Sequence, residues 1–186
     1  WPMIPMFIEA VMRNGRVPED YDMSHLLAAG AGCEAVNNNQ LDRVQEFLHK
    51  HNCNVRFTVG YGSSEGGSNL TFQMAPKSVH NGNVGIPMPL NDMGVFKPGT
   101  QDELGYNEMG EICTVGPGNM LGYDRRSATA KTLQRHADGK IWLHTGDIGY
   151  VDEDGVFYVL NRGAAFRYGG GELAVLPMEN RLADAK

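Results

Sequence analysis

The sequence predicts an α/β plus β fold, a half in which helix and strand alternate followed by a half of short antiparallel strands. Up to residue 62, glycine-ended apolar runs alternate with stretches at helical spacing. From 84 to 160 the apolar runs are short and broken by Gly, Pro and Asn. Residues 142 to 162, WLHTGDIGYVDEDGVFYVLNR, set a Thr-Gly-Asp turn beside an Asp-Gly hairpin and bring Asp147 and Arg162 to strand ends.

Residues 3 to 14 read as an amphipathic helix, with Ile4, Phe7, Ile8 and Val11 near helical spacing. HLLAAGAG, 25 to 32, reads as a short buried strand ending in glycines. Asn37 to Asn39 can cap the next helix, whose apolar face is Leu41, Val44, Phe47 and Leu48. NVRFTVGYG, 54 to 62, is the following strand. A strand, helix, strand order of this length implies a parallel pair with a crossover helix. Ligands bind off the carboxyl ends of such strands, here Gly30 to Gly32 and Tyr61 to Gly66. In the second half, GVFKP, GEICTVG, IWLHTG and GYVDEDGVFYVL are the strands of a small antiparallel sheet or barrel. Turn signals lie at Glu108 to Glu111 and Asp154-Gly155, and one helix is expected over 123 to 135. From Gly163 onward the pattern is that of a linker or the edge of a further domain.

The 186 residues suffice for one domain or two small ones, and 41% apolar with 20% charged residues is the balance of a soluble globular protein. A net charge of -6 without a Lys/Arg cluster argues against a nucleic-acid partner but leaves room for a single nucleotide. No apolar run is long enough for a membrane span, and no segment has the make-up of a signal peptide. Trp1 in place of an initiator Met gives the expectation that the chain begins inside a longer protein. Cys33, Cys53 and Cys113 form no CxxC pair, which fits a reduced, cytoplasmic compartment.

Four short patterns yield to simpler readings. GSSEG, 62 to 66, matches the serine-hydrolase elbow, but polar strand-like residues follow it where a helix is needed, and nothing supports Asp124 and His144 as triad partners. GAGCEA, 30 to 35, lacks the acidic residue that a dinucleotide site wants about 20 residues on. DEDG, 152 to 155, puts Tyr150 and Asn161 where a calcium loop needs ligands, so it is a hairpin turn. The His residues include no HExxH pair, and no Walker phosphate cradle is present.

Read in order, several segments resemble the adenylate-forming (AMP-binding) superfamily, and AMP-forming acyl-CoA synthetases most of all. Tyr61-Gly62-Ser63-Ser64-Glu65 resembles its Tyr-Gly-x-Thr-Glu element, and VGIPMPL, 84 to 90, its Val-Gly-x-Pro-x-Pro element. GEICTVGPGNMLGYDRRSATAKT, 110 to 132, resembles the run from Gly-Glu-Ile to Ala-Thr. DGKIWLHTGDIGYVDEDGVFYVLNR resembles the Trp-x-x-Thr-Gly-Asp and Asp-Arg elements.

The resemblance implies the C-terminal part of a layered α/β subdomain (1–82), a small distorted antiparallel β-barrel (83–160), and a hinge region with the start of a C-terminal lid (161–186). It implies an ATP-dependent carboxylate-CoA ligase of the kind used in fatty acid metabolism. Such a ligase forms an acyl-AMP from a small carboxylic acid, fatty or aromatic, and passes the acyl group to coenzyme A. Glu65 would hold Mg2+, and Ser64 would bond a phosphate oxygen; these two are the candidate catalytic residues. Tyr61 would stack on adenine, with Gly62 allowing close backbone approach. Gly30, Ala31 and Gly32 would form the adenine-side loop. Asp147 would grip the ribose hydroxyls and Arg162 the ribose or phosphate. Asp147 and Glu65 are then expected to face one cavity.

The family's Gly/Ser/Thr-rich phosphate loop and lid lysine have no counterpart here. Asn161 stands for the usual Asp, and Ala164 for the hinge residue. The isolated chain is therefore expected to be inactive, the alternative being a non-catalytic interaction module on the same fold. A core cut short exposes apolar surface, which favours a homo-oligomer.

Overall fold

A computed structural model describes residues 2–3, 5–73, 77–161, 166–168, 171–173 and 175–184. Ile4, Arg162, Ala164 and Lys186 lie outside these residues. The alternating half is a three-stranded parallel sheet of β1 (Pro2–Met3), β2 (Ala29–Ala31) and β3 (Phe57–Val59), in that order. Helix α1 (Pro5–Arg13) joins the first pair and α2 (Asn38–Lys50) the second. The N-terminal helix is shorter than expected, and of its apolar face Ile8 is buried while Phe7 is exposed. The expected strand over 25 to 32 shrinks to Ala29–Ala31, leaving Leu27 in solvent.

Helix α2 starts where its cap chemistry says it should. Asn37 Oδ1 accepts the Gln40 N–H at 2.9 Å, and Gln40 Oε1 accepts the Asn37 N–H at 3.1 Å. This reciprocal box satisfies two N–H groups that a helix start leaves without partners. Leu41, Val44 and Leu48 are buried against the sheet, with Phe47 half-buried beside them.

After β3 a small hairpin of β4 (Gly62–Ser63) and β5 (Ser68–Asn69) holds Ser64 and Glu65 at its tip, and β6 (Thr71–Phe72) leads into the second half. There β7 (Asn83–Pro87), β8 (Asp92–Phe96), β9 (Gly110–Val115), β10 (Leu133–Arg135), β11 (Ile141–Val151) and β12 (Phe157–Asn161) complete a seven-stranded antiparallel sheet. Its path runs β6-β7-β12-β11-β9-β8, with β10 added to β11. Among the described residues β6 and β8 do not meet, so the expected barrel is a curled half-barrel.

Three expectations need correction. The helix placed over 123 to 135 is only α3, Arg126–Thr132, and Leu133–Arg135 pairs with Ile141–Leu143 instead. No residue of α3 is buried and no side chain caps its start, so nothing offsets the cost of further turns. The stretch from Gly163, read as a linker or the edge of a further domain, is not a bare linker: it carries a hairpin of β13 (Phe166–Tyr168) and β14 (Gly171–Leu173) and then α4 (Val175–Asp184). Buried Leu176 and Asn180 anchor α4, and Asn180 Oδ1 accepts the Asn38 N–H at 2.9 Å. Finally, Thr-Gly-Asp is no strand-ending turn, because β11 runs through it.

One apolar cluster links the two halves: Leu48, Phe57, Val59 and Leu70 share it with Val84, Val95, Ile112 and Phe157. No helix among the described residues is long and apolar enough to cross a membrane.

Candidate functional site

The site grows from a wide bulge between β11 and β9. His144 pairs with Cys113 and Ile148 with Glu111. Thr145, Gly146 and Asp147 therefore face only Ile112. Such a bulge breaks the ladder and leaves backbone groups to be satisfied by side chains. The Thr145 hydroxyl donates to the Ile112 carbonyl at 2.6 Å, and its oxygen accepts the Asp147 N–H at 3.1 Å. Glu111 Oε1 accepts the Gly146 N–H at 2.9 Å. Gly146 sits at φ +75°, the left-handed region that favours glycine.

The bulge turns the Asp147 carboxylate inward, where Tyr61 meets it. The Tyr61 hydroxyl donates to Asp147 Oδ2 at 2.7 Å, and both side chains are buried. Together they line a cavity of about 240 Å³ with Cys33 to Val36, Gly60, Gly62, Asn83 and Leu176. This hollow lies off the carboxyl ends of β2 and β3. Gly30, Ala31 and Gly32 line a second, more open cavity of about 530 Å³, with Thr58, Asn69 and Gln73. The two hollows share Cys33, Val59 and Gly60 as a common wall.

Ser64 and Glu65 stand just beyond the first cavity, outside its lining. The expectation that Glu65 and Asp147 face one cavity is thus met by Asp147 alone, because the turn after Gly62 carries the next residues outward. Ser64 is exposed and Glu65 half-buried. Glu65 Oε1 accepts the Tyr123 hydroxyl at 2.7 Å, which pushes the Tyr123 phenol above its usual range. The Glu65 carbonyl also accepts the Met120 N–H at 2.7 Å. After Gly66 the chain continues as strand, so the hydrolase elbow has no helix, and His144 is engaged elsewhere.

The sequence reading gave Glu111 and His136 no place in the site and weighed His144 only as a hydrolase triad partner. Glu111 Oε2 lies 3.0 Å from His144 Nδ1, and His144 Nε2 lies 2.9 Å from His136 Nε2. Burial raises the Glu111 pKa, but the His144 bond and the Gly146 N–H outweigh it and leave it lowered. Burial, aided by His144, lowers the His136 pKa. Burial pushes the Cys113 thiol well up, so it stays protonated. Strand register was the signal, since Glu111 and Cys113 alternate on β9 opposite His144. Tyr123 had no place in that reading either, being visible in sequence only as part of a Gly-Tyr pair.

The fold is that of adenylate-forming enzyme domains. Residues 1–124 match the AMP-binding enzyme family, and the chain belongs to it. It is 32% identical over 184 residues to 4-coumarate--CoA ligase 1 of Arabidopsis thaliana, covering 96% of this chain and 31% of that protein. Two solved structures share its fold. The long-chain-fatty-acid-CoA ligase FadD1 of Archaeoglobus fulgidus superposes with a TM-score of 0.73 at 24% identity, over 89% of this chain and 34% of that one. The o-succinylbenzoate coenzyme A synthetase MenE of Bacillus subtilis, in complex with ATP and magnesium ion, gives 0.73 at 23%, over 99% and 36%. The chain spans about a third of the length of the curated relatives it matches.

Proposed function

We propose that this chain is the nucleotide-holding part of an AMP-forming acid-thiol ligase. In the whole enzyme the oxygen of a small carboxylic acid attacks the α-phosphorus of ATP. The bond to the β-phosphate oxygen breaks, and pyrophosphate leaves. The thiol of coenzyme A then attacks the acyl carbon and releases AMP. The relatives' names, which include 4-coumarate and long-chain fatty acid ligases, support an aromatic or fatty acid as substrate.

The observation that carries this reading is Asp147, buried on its bulge with its carboxylate at the cavity wall beside Tyr61. A carboxylate there can accept both hydroxyls of a ribose in charge-assisted bonds. The Tyr61 ring and the glycines at 60 and 62 suit a flat base. At about 240 Å³ the cavity falls below the ~300 Å³ where whole-ligand pockets begin. It fits a nucleoside, leaving the phosphates to extend toward Ser64 and Glu65. A single carboxylate completed by phosphates and water is an ordinary Mg2+ site, so Glu65 fits that ion, which would offset phosphate charge. Ser64 can donate to a phosphate oxygen. The Arg162 role in this scheme stays an expectation of the resemblance.

Calorimetry with AMP tests the reading: the chain should bind AMP, and Asp147→Ala should weaken binding by about 1.5–3 kcal/mol. Carboxylate-dependent ATP–pyrophosphate exchange should be absent, because this sequence holds neither phosphate loop nor lid lysine to stabilise charge at the α-phosphate. Failure to bind AMP would leave the non-catalytic interaction module as the reading.

A further inference from the structure

Glu111, Cys113 and His144 bring one oxygen, one sulfur and one nitrogen within 4.8 Å of one another, a donor set that suits a transition metal. Their hydrogen bonds point elsewhere. An ionised Glu111 only accepts, so the proton between it and His144 sits on Nδ1. His144 Nε2 is then an acceptor, and His136 Nε2–H supplies the donor. The buried thiol keeps its proton. Each of these ring and carboxylate contacts is satisfied without an ion. What the cluster fixes is the second carboxylate oxygen of Glu111, held at 2.9 Å from the Gly146 N–H.

We propose that Glu111 is the positioning residue for Asp147, clamping the β11 bulge through Gly146 while the His136–His144 pair holds its carboxylate in register. Gly146 is the residue before Asp147; it has no side chain to anchor it, and the space a Cβ would take is open within 4 Å. Its N–H has only the Glu111 carboxylate to hold it among the bonds of the bulge. The Asp147 N–H, by contrast, is tied to Thr145. Release of Gly146 leaves the backbone free to rotate where it aims the Asp147 carboxylate at Tyr61. The inference rests on the nucleotide reading for its functional consequence, though not for the clamp itself.

Two replacements separate clamping from general stability. In Glu111→Gln the amide oxygen still accepts from Gly146, and the amide nitrogen donates to His144 Nδ1 once that ring shifts its proton to Nε2 and His136 shifts its own to Nδ1, so that His136 Nε2 becomes the acceptor. In Glu111→Ala both partners are lost. Gly146 amide exchange should accelerate about 10-fold or more in Glu111→Ala, and AMP affinity should fall about 10-fold, with Glu111→Gln restoring both. If Glu111→Ala does not fold, the wild-type Gly146 amide proton resonance should still shift as Glu111 titrates in acid. A Gly146 amide indifferent to both the Ala replacement and acid overturns the proposal, as does a Gln variant as impaired as Ala. A wild-type chain that ignores AMP yet shows the Gly146 exchange pattern sinks the nucleotide reading and leaves the clamp standing.

Discussion

The Tyr61 hydroxyl donates to Asp147 Oδ2 at 2.7 Å, across the seam between the parallel sheet and the half-barrel. Tyr61 follows β3 and Asp147 sits on β11, so the bond ties together the two surfaces that form the cavity. A ribose reaching Asp147 must share that carboxylate or displace the phenol from it. Tyr61→Phe keeps the ring and removes only the donor. It should lower stability by about 1–3 kcal/mol, yet leave AMP affinity within about threefold of wild type, because the ribose hydroxyls replace the lost donor. Asp147→Ala should lose affinity instead. Melting curves and calorimetry on both variants check the contrast, and equal losses of affinity would show that the phenol itself holds the nucleotide.

Tyr123 stands to Glu65 as Tyr61 stands to Asp147. Its hydroxyl holds Glu65 Oε1 at 2.7 Å at the exposed tip of the β4–β5 hairpin. A cation arriving at Glu65 competes with that donor. Tyr123→Phe should therefore lower the Mg2+ concentration needed for half-maximal ATP binding by about 3- to 10-fold, the net worth of one ordinary hydrogen bond, because water screens this exposed pair. Glu65→Gln should abolish the Mg2+ dependence. Calorimetric titration of ATP at graded Mg2+ measures both, and a Tyr123→Phe curve that overlies wild type would place the ion elsewhere.

The clamp should also show in the pH dependence of stability. The His136 pKa is held below its usual 6.5, chiefly by burial, so folding favours the neutral ring. That contribution is complete above 6.5 and is lost as pH falls through the lower folded value. Glu111 is lowered from 4.5, so its contribution is present above 4.5 and is lost as pH falls below it. Acid unfolding should therefore show two stages, the first removed by His136→Asn and the second reduced by Glu111→Gln. Denaturant midpoints from pH 7 to pH 3 would test this. A His136→Asn variant that keeps the wild-type slope between pH 6.5 and 5 would contradict it.

Local chemistry made part of this architecture readable and distance in the chain hid the rest. Asn37 announced its helix because the cap and its Gln40 partner are three residues apart. The parallel pairing of β2 and β3 followed from the length of the intervening helix. Asp147 and Tyr61 could be named from their segments, but their bond spans 86 positions and is invisible to any local pattern. The Thr-Gly-Asp segment misled for a physical reason. A glycine at positive φ signals a turn and a wide bulge alike, and only the register of β9 against β11 tells them apart. Helix α4 stayed hidden because its anchors, Leu176 and Asn180, depend on α2 and β12 for their burial.

Glycine replacements can separate strain from position. Gly99 and Gly146 have nearly the same backbone, φ +76° and +75°, and an added Cβ meets nothing within 4 Å at either. Alanine should cost each about 1–2 kcal/mol, from the left-handed conformation alone. For a chain of this length that is a melting shift of roughly 2–8 °C. Gly62 differs, because a Cβ there would overlap the Ser68 carbonyl of the paired strand, and backbone must move to admit it. Gly62→Ala should be the most damaging of the three, opening the hairpin that carries Ser64 and Glu65. Between the matched pair, stability should fall alike while AMP affinity falls only for Gly146→Ala, since only Gly146 lies beside Asp147 in the bulge. Equal affinity in the Gly99 and Gly146 variants would mean that the bulge conformation does not set the carboxylate's aim.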